Sequence, residues 1–202
     1  MNLLALSIYM IALVNPISKV FILSTMPEDM SDRQLRSLVI RSSLVGLTLL
    51  VGFSVLGNFV LDRIFHVEIY SFQMVGGLML FFVGYKALSK GTFFEEDTRR
   101  ALSELSIVPL ACPLIAGPAT LTAALSFPKQ HGYAVFMAAM GMALSVNLVM
   151  MLLSRPIGHA LRKYNLMGAL IRITGMIVAT IAVQMVLQGI SDWQASLGQV
   201  AG

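Results

Sequence analysis

The chain has 202 residues, 57% of them hydrophobic and 12% charged, with a mean hydropathy of +0.81. A soluble domain carries about twice that charged fraction, so a soluble globular protein is excluded and a multi-span membrane protein is expected. The net charge of +4 is spread beside apolar segments rather than gathered in one block, which makes the lipid bilayer the expected partner and excludes nucleic acid.

A transmembrane helix needs about 20 mainly apolar residues. Hydropathy predicts six spans, at about 3–25, 37–60, 69–89, 107–127, 133–154 and 168–190. Residues 1–14 lack a basic stretch and a small-residue cleavage site, so the first span is expected to stay in place rather than to be cut off. That span contains Asn15-Pro16-Ile17-Ser18-Lys19. In the spans the apolar residues run around all faces, and the fifth carries Asn147. The third carries Gly76-Gly77, and Lys90 to Ser106 then forms the longest connection, with charges of both signs. The fourth holds Pro109 to Thr122, including the single cysteine, Cys112, which cannot form an internal disulfide or a cysteine cluster. The sixth contains Gly175 and Gln184.

The first and fourth spans resemble each other. With Pro16 set on Pro118, Leu13-Val14-Asn15 falls on Ile115-Ala116-Gly117 and Ser24 on Ser126, and each stretch is expected to end at a second proline, Pro27 or Pro128. Proline removes a backbone donor and clashes with the carbonyl one turn earlier, which breaks a helix. In lipid such a break survives only inside a bundle or along a wet cavity. Matching breaks in two halves point to a transporter binding site. The expected fold is therefore all-α: six transmembrane helices in one domain, 1–202, with helices 1 and 4 broken at Pro16 and Pro118. Each half holds three spans, so the repeats, about 1–90 and 107–190, would be inverted. A cytoplasmic loop at about 90–106 would join them, and a short periplasmic tail, 191–202, would follow. Met74-Val75-Gly76-Gly77 matches Ile173-Thr174-Gly175-Met176 loosely in the same sense.

Connections after spans 1, 3 and 5, with the adjoining helix ends, hold Lys19, Arg33, Arg36, Arg41, Lys86, Lys90, Arg99, Arg100, Arg155, Arg162, Lys163 and Arg172, which is all but Arg63 and Lys129 of the 14 basic residues. The positive-inside rule puts that side in the cytoplasm and both termini in the periplasm.

Asn15-Pro16, Gly76-Gly77, Val108-Pro109-Leu110-Ala111 with Ala116-Gly117-Pro118, and Val183-Gln184 with Gly189-Ile190 together resemble the MarC family of bacterial inner-membrane proteins, also known as UPF0056-type proteins. The match runs through nearly the whole chain in order and spacing. The resemblance implies a six-span fold distantly related to amino-acid exporters, and transport of small neutral amino acids. Lys19, shortly after Asn15-Pro16, departs from the family's commonest pattern.

Chemistry would concentrate at the breaks. A half-helix N-terminus carries partial positive charge and favours a carboxylate, while loosened carbonyls suit a cation. Asn15, Pro16, Ser18, Gly117, Pro118, Thr120 and Thr122 are the candidate substrate-binding residues. The plainer reading makes the prolines kinks that only shape packing. Lys19 and Arg172 would either snorkel to the headgroups or gate the site and meet a substrate carboxylate. Asn147 and Gln184 read as bonds across helices, and Gly76, Gly77, Gly141 and Gly175 as close helix contacts. All ten acidic residues, from Glu28 to Asp192, and all three histidines fall in connections or at the ends. The spans thus lack a proton relay of the usual kind, a metal cluster and an acid–base pair. An enzyme is not expected, nor any cofactor, and the neutral oxygens at the breaks suit Na⁺, so active transport is expected to be Na⁺-linked or driven by the substrate's own gradient. A passive channel for a small solute, or a structural partner without transport, are the rival readings. The sequence is silent on homo-oligomers.

Overall fold

In the computed structural model the protein is helical, with no strand among the residues described: 2–24, 26, 30–93, 110 and 115–200, without the side chains of 58 and 198–200. Pro27, Glu28, Pro109, Cys112 and the charged stretch 94–106 lie outside them.

Asn2 caps α1 (Leu3–Val14), its side chain accepting from Ala5 N at 2.9 Å. The helix stops at Asn15, which lies in the left-handed region at φ 52°. Asparagine tolerates that region better than most residues, and a following proline disfavours the right-handed helical alternative. Pro16 then opens α2 (Pro16–Ser24). A capping box of Ser31 and Gln34 starts α3 (Asp32–Phe59), several residues before the expected start. After a π turn at Val60–Ile64 comes α4 (Ile69–Lys90), closed by Gly91 at φ 66°. Then follow α5 (Pro118–His131), α6 (Tyr133–Leu152), α7 (Ser154–Lys163) and α8 (Met167–Val200).

Two expectations, at Pro128 and Gly141, need correction, and two segments outside the expected spans prove helical. Pro128 does not end its helix: it lies inside α5, where it costs one donor in the last turn. The tail at 191–202 is helical as far as Val200, so Asp192 sits on α8. Gly141 is exposed and a side chain there would meet nothing within 4 Å, so it is no helix contact. The fifth connection contains α7, too short and too charged to register as a span; Gly158 seats it against Ser24, whose carbonyl accepts from Arg162 at 2.8 Å.

Five helical stretches are long and apolar enough to cross a membrane: Leu3–Ser24, Asp32–Gly57, Ile69–Lys90, Tyr133–Leu152 and Met167–Leu197. Their outer faces carry exposed apolar side chains such as Leu56, Phe59, Phe82 and Ile173, as lipid contact demands. The contacts give the directions. Gly46 faces Ile115 and Gly57 faces Leu125, so α5 runs parallel to α3. Tyr133 Oη donates to Ser54 O at 3.3 Å at one end and Arg155 pairs with Asp32 at the other, so α6 runs antiparallel to α3. The chain therefore passes from one end of the bundle at Lys90 to the other at His131, and α5 is the second part of that passage. These directions are compatible with six spans in two inverted halves.

Glycines hold α4 and α8 together. A Cβ at Gly84 would lie 2.7 Å from both Ala179 N and Gly175 O, and one at Gly77 2.9 Å from Ala182 O. These neighbours are backbone and cannot swing away, so the two helices touch only because side chains are absent, as in other membrane bundles. Gly175 and Gly189 serve the same contact from α8. Gly76 differs: it faces Thr122 Oγ1 and Pro118 O, so it admits α5 rather than α8. One apolar cluster gathers Ile22, Leu23, Leu35, Leu110 and Met151 at the end that also holds Arg155 and Arg162. A second gathers Met10, Leu13, Leu50, Ala119, Phe136 and Met140 toward the other end.

Candidate functional site

Both breaks open onto one cavity of about 180 Å³. Asn15, Ser18 and Lys19 line it from the first break, and Gly117, Pro118 and Thr120 from the second. Met79, Val83 and Val178, from α4 and α8, close it with apolar surface. Six sequence-predicted residues thus meet, although the two groups lie about a hundred positions apart in the chain. Pro16 is buried beside the cavity without lining it.

The two breaks share a hydrogen bond. Ser18 Oγ donates to Asn15 O at 2.8 Å, and Thr120 Oγ1 donates to Gly117 O at 2.9 Å. In each half the hydroxyl two positions after the proline satisfies the carbonyl just before it. The alignment of Pro16 with Pro118 therefore holds at the level of individual bonds. Thr120 Oγ1 also donates to Ile115 O at 2.9 Å.

The two N-termini differ. Asn15 Oδ1 accepts from Ser18 N at 3.3 Å and so caps α2. Gly117 has no side chain to do the same for α5, whose first amides stay uncapped. Ala119 and Thr120 at that terminus both line the cavity.

Lys19 is 1% exposed. Its ammonium turns back toward the break and donates to Val14 O and Asn15 O. The snorkelling alternative for Lys19 is thereby corrected: the side chain is buried, and a carbonyl freed by the broken helix is its acceptor. Among the described residues no carboxylate pairs with it. Arg172 is exposed on α8 and lines neither this cavity nor the next, as a snorkelling side chain would. Asn147 is 1% exposed, and its amide donates to Met151 Sδ at 3.0 Å, within α6 rather than across helices.

A second cavity, of about 270 Å³, lies toward the end where α5 meets α6. Thr122 and Gln184 line it, away from the break cavity. So do Gln73, Ser126, Gln130 and Gln188, which the sequence analysis did not single out as site residues. Leu13 and Ala119 line both cavities and form the partition between them. A depth comparison across inverted spans would have found the glutamines, because Tyr9, Gln73, Gln130 and Gln188 all fall near the same end of the bundle.

Residues 1–194 match the family model described as MarC family integral membrane protein. The chain belongs to the MarC family. It is 32% identical over 188 residues to a UPF0056 membrane protein of Pyrococcus horikoshii, covering 93% of each chain. It is 25% identical to the UPF0056 membrane protein YvbG of Bacillus subtilis, over 91% of each chain. With the UPF0056 inner membrane protein YhgN of Escherichia coli K12 it shares 26%, over 95% of this chain and 98% of that one. No solved structure matches it. MarC membership fits the helical membrane fold described above.

Proposed function

We propose that this protein is a multi-pass inner-membrane transporter of small neutral amino acids, with its substrate site in the cavity between the two breaks. One observation carries the reading: Lys19 places a buried amino group at a cavity and lacks a carboxylate partner among the described residues. A buried charge is costly unless it is paired. The uncapped N-terminus of α5 adds partial positive charge across the same cavity. A solute carboxylate would satisfy both. The oxygens of Asn15, Ser18 and Thr120 would receive the α-ammonium group. A volume of about 180 Å³ lies below the roughly 300 Å³ where drug-sized ligand sites begin, which favours the smallest amino acids. The Leu13–Ala119 partition favours alternating access over an open channel.

The test is counterflow of labelled L-alanine, glycine and L-serine in vesicles reconstituted with the pure protein. Saturable accumulation driven by unlabelled amino acid inside is expected. Uptake without saturation or counterflow would indicate a channel, and no uptake of any of the three would overturn the reading. The inner-membrane assignment draws on the Escherichia coli relative, a UPF0056 inner membrane protein. The basic end faces the cytoplasm in this reading, with both termini on the other side. A reporter active only in the periplasm should work when fused after Trp193 and fail after Gly91; the opposite pattern would invert the orientation.

A further inference from the structure

We propose that the glutamine-lined cavity is a second solute site, separate from the cavity at the breaks, and that it takes a small net-neutral polar solute through hydrogen bonds alone. Its four glutamines and Ser126 come from three helices: Gln73 on α4, Ser126 and Gln130 on α5, and Gln184 and Gln188 on α8.

One of these residues shows an unmet need. Ser126 is 7% exposed, and its hydroxyl has no hydrogen-bond partner among the described residues. Gln73 is equally buried and lines the same cavity. Buried polar groups are almost always bonded, and an exception calls for an explanation. Both residues line the same cavity, and a rotation of the Ser126 hydroxyl toward a polar occupant supplies its missing partner.

The lining fixes the chemistry of that occupant. Each glutamine amide offers two donors and a carbonyl acceptor, and the hydroxyl offers both functions. None of the five carries a charge. The break cavity contrasts with this, because there an ammonium group selects an anionic partner. Gln188 also donates to Asp192 Oδ1 at 3.0 Å, which leaves its carbonyl for the solute. Tyr9 packs tilted against Phe127 at 5.5 Å, and Phe127 packs edge-on against His131 at 5.8 Å. Leu13, Ala123 and Met185 supply apolar wall for a short aliphatic part. At about 270 Å³ the cavity suits a small solute rather than a drug-sized one. Donors and acceptors on one side, with an apolar wall on the other, describe a zwitterionic or uncharged polar molecule.

Thiol protection tests this on the full chain in vesicles. Ala123→Cys and, separately, Gln130→Cys place a thiol in the lining. A polar, membrane-impermeant thiol reagent should label each, with the labelled peptide identified by mass spectrometry so that Cys112 can remain. The probes are glycine, L-alanine, L-serine and glycerol, each at about 10 mM, ten times the upper end of the usual small-solute range. At least one should slow labelling about tenfold, as 1 + [L]/Kd requires when [L] is ten times Kd. Acetate and methylammonium at the same concentration should not. Gln73→Met should abolish protection while the labelling rate without solute stays unchanged. Lys19→Met should leave protection intact even if it stops transport, which separates failure of this site from failure of the break site. Failure to label either thiol, absence of protection by all four probes, or equal protection by the ions would each overturn the proposal. Loss of protection in Lys19→Met would reduce the two sites to one.

Discussion

Lys19→Met should lower L-alanine transport by about 10- to 140-fold. The figure follows from the strength of one charge-assisted hydrogen bond, about 1.5–3 kcal/mol, at 1.4 kcal/mol for each factor of ten. Lys19 lines the break cavity and has no carboxylate partner among the described residues, and in the proposed reading it meets the solute carboxylate. The same ammonium also bonds Val14 O and Asn15 O, so its loss has a structural side. Two measurements divide the roles. Ser18→Ala removes a bond to Asn15 O and leaves the charge in place; loss of a neutral bond costs only about 0.5–1.5 kcal/mol. Substrate preference is the sharper readout. The natural protein should favour L-alanine over L-alaninamide, which keeps the ammonium but has no carboxylate. In Lys19→Met that preference should vanish. Transport of L-alanine by Lys19→Met at the natural rate would remove Lys19 from the site and the amino-acid reading with it.

The helix breaks were legible in the sequence because proline acts locally. Pro16 and Pro118 each lose a donor and constrain the residue before them whatever surrounds them, so their positions alone placed the interruptions. Pro128 misled for the opposite reason: with so little helix after it, no second segment had to restart. That the breaks share one cavity followed from their matching places in two halves. The direction of Lys19 was not legible. It depends on a carbonyl, Val14 O, that becomes an acceptor only after Asn15 turns left-handed. The glutamine cavity was hidden by the way spans are read. Gln130 lies beyond the expected end of span 4, and Gln188 near the end of span 6, where amides pass for ordinary boundary residues. Only the packed bundle sets them beside Gln73. The glycines divided on the same ground: Gly77 and Gly175 have a helix against them and Gly141 does not, a difference that composition does not carry.

The second large effect is expected at the partition. Leu13 is 7% exposed and Ala119 is 2% exposed, and both line the two cavities. Removing the Leu13 side chain joins the cavities into one passage. In the natural protein, a solute would cross only when the chain visits a minor conformation, and such states are commonly populated at 0.1–10%. A partition held open should therefore raise access from the glutamine side to the break cavity by about 10- to 1,000-fold, the inverse of that population. The measurement uses Val83→Cys, an apolar wall position of the break cavity. Its labelling by an impermeant thiol reagent added on the glutamine side should be slow alone and fast when combined with Leu13→Ala. Net flux of L-alanine down its gradient should rise with it, while counterflow accumulation collapses, because an open passage no longer holds a gradient. Leu→Ala in a packed core costs about 2–5 kcal/mol of stability, so faster labelling could also come from loosening of the whole bundle. Ala119→Leu makes the opposite change by filling the same partition. It should slow both labelling and flux below the natural rates, an outcome that a loosened bundle would not produce. If Leu13→Ala leaves Val83→Cys as protected as before and Ala119→Leu leaves flux unchanged, the solute does not pass between these two side chains.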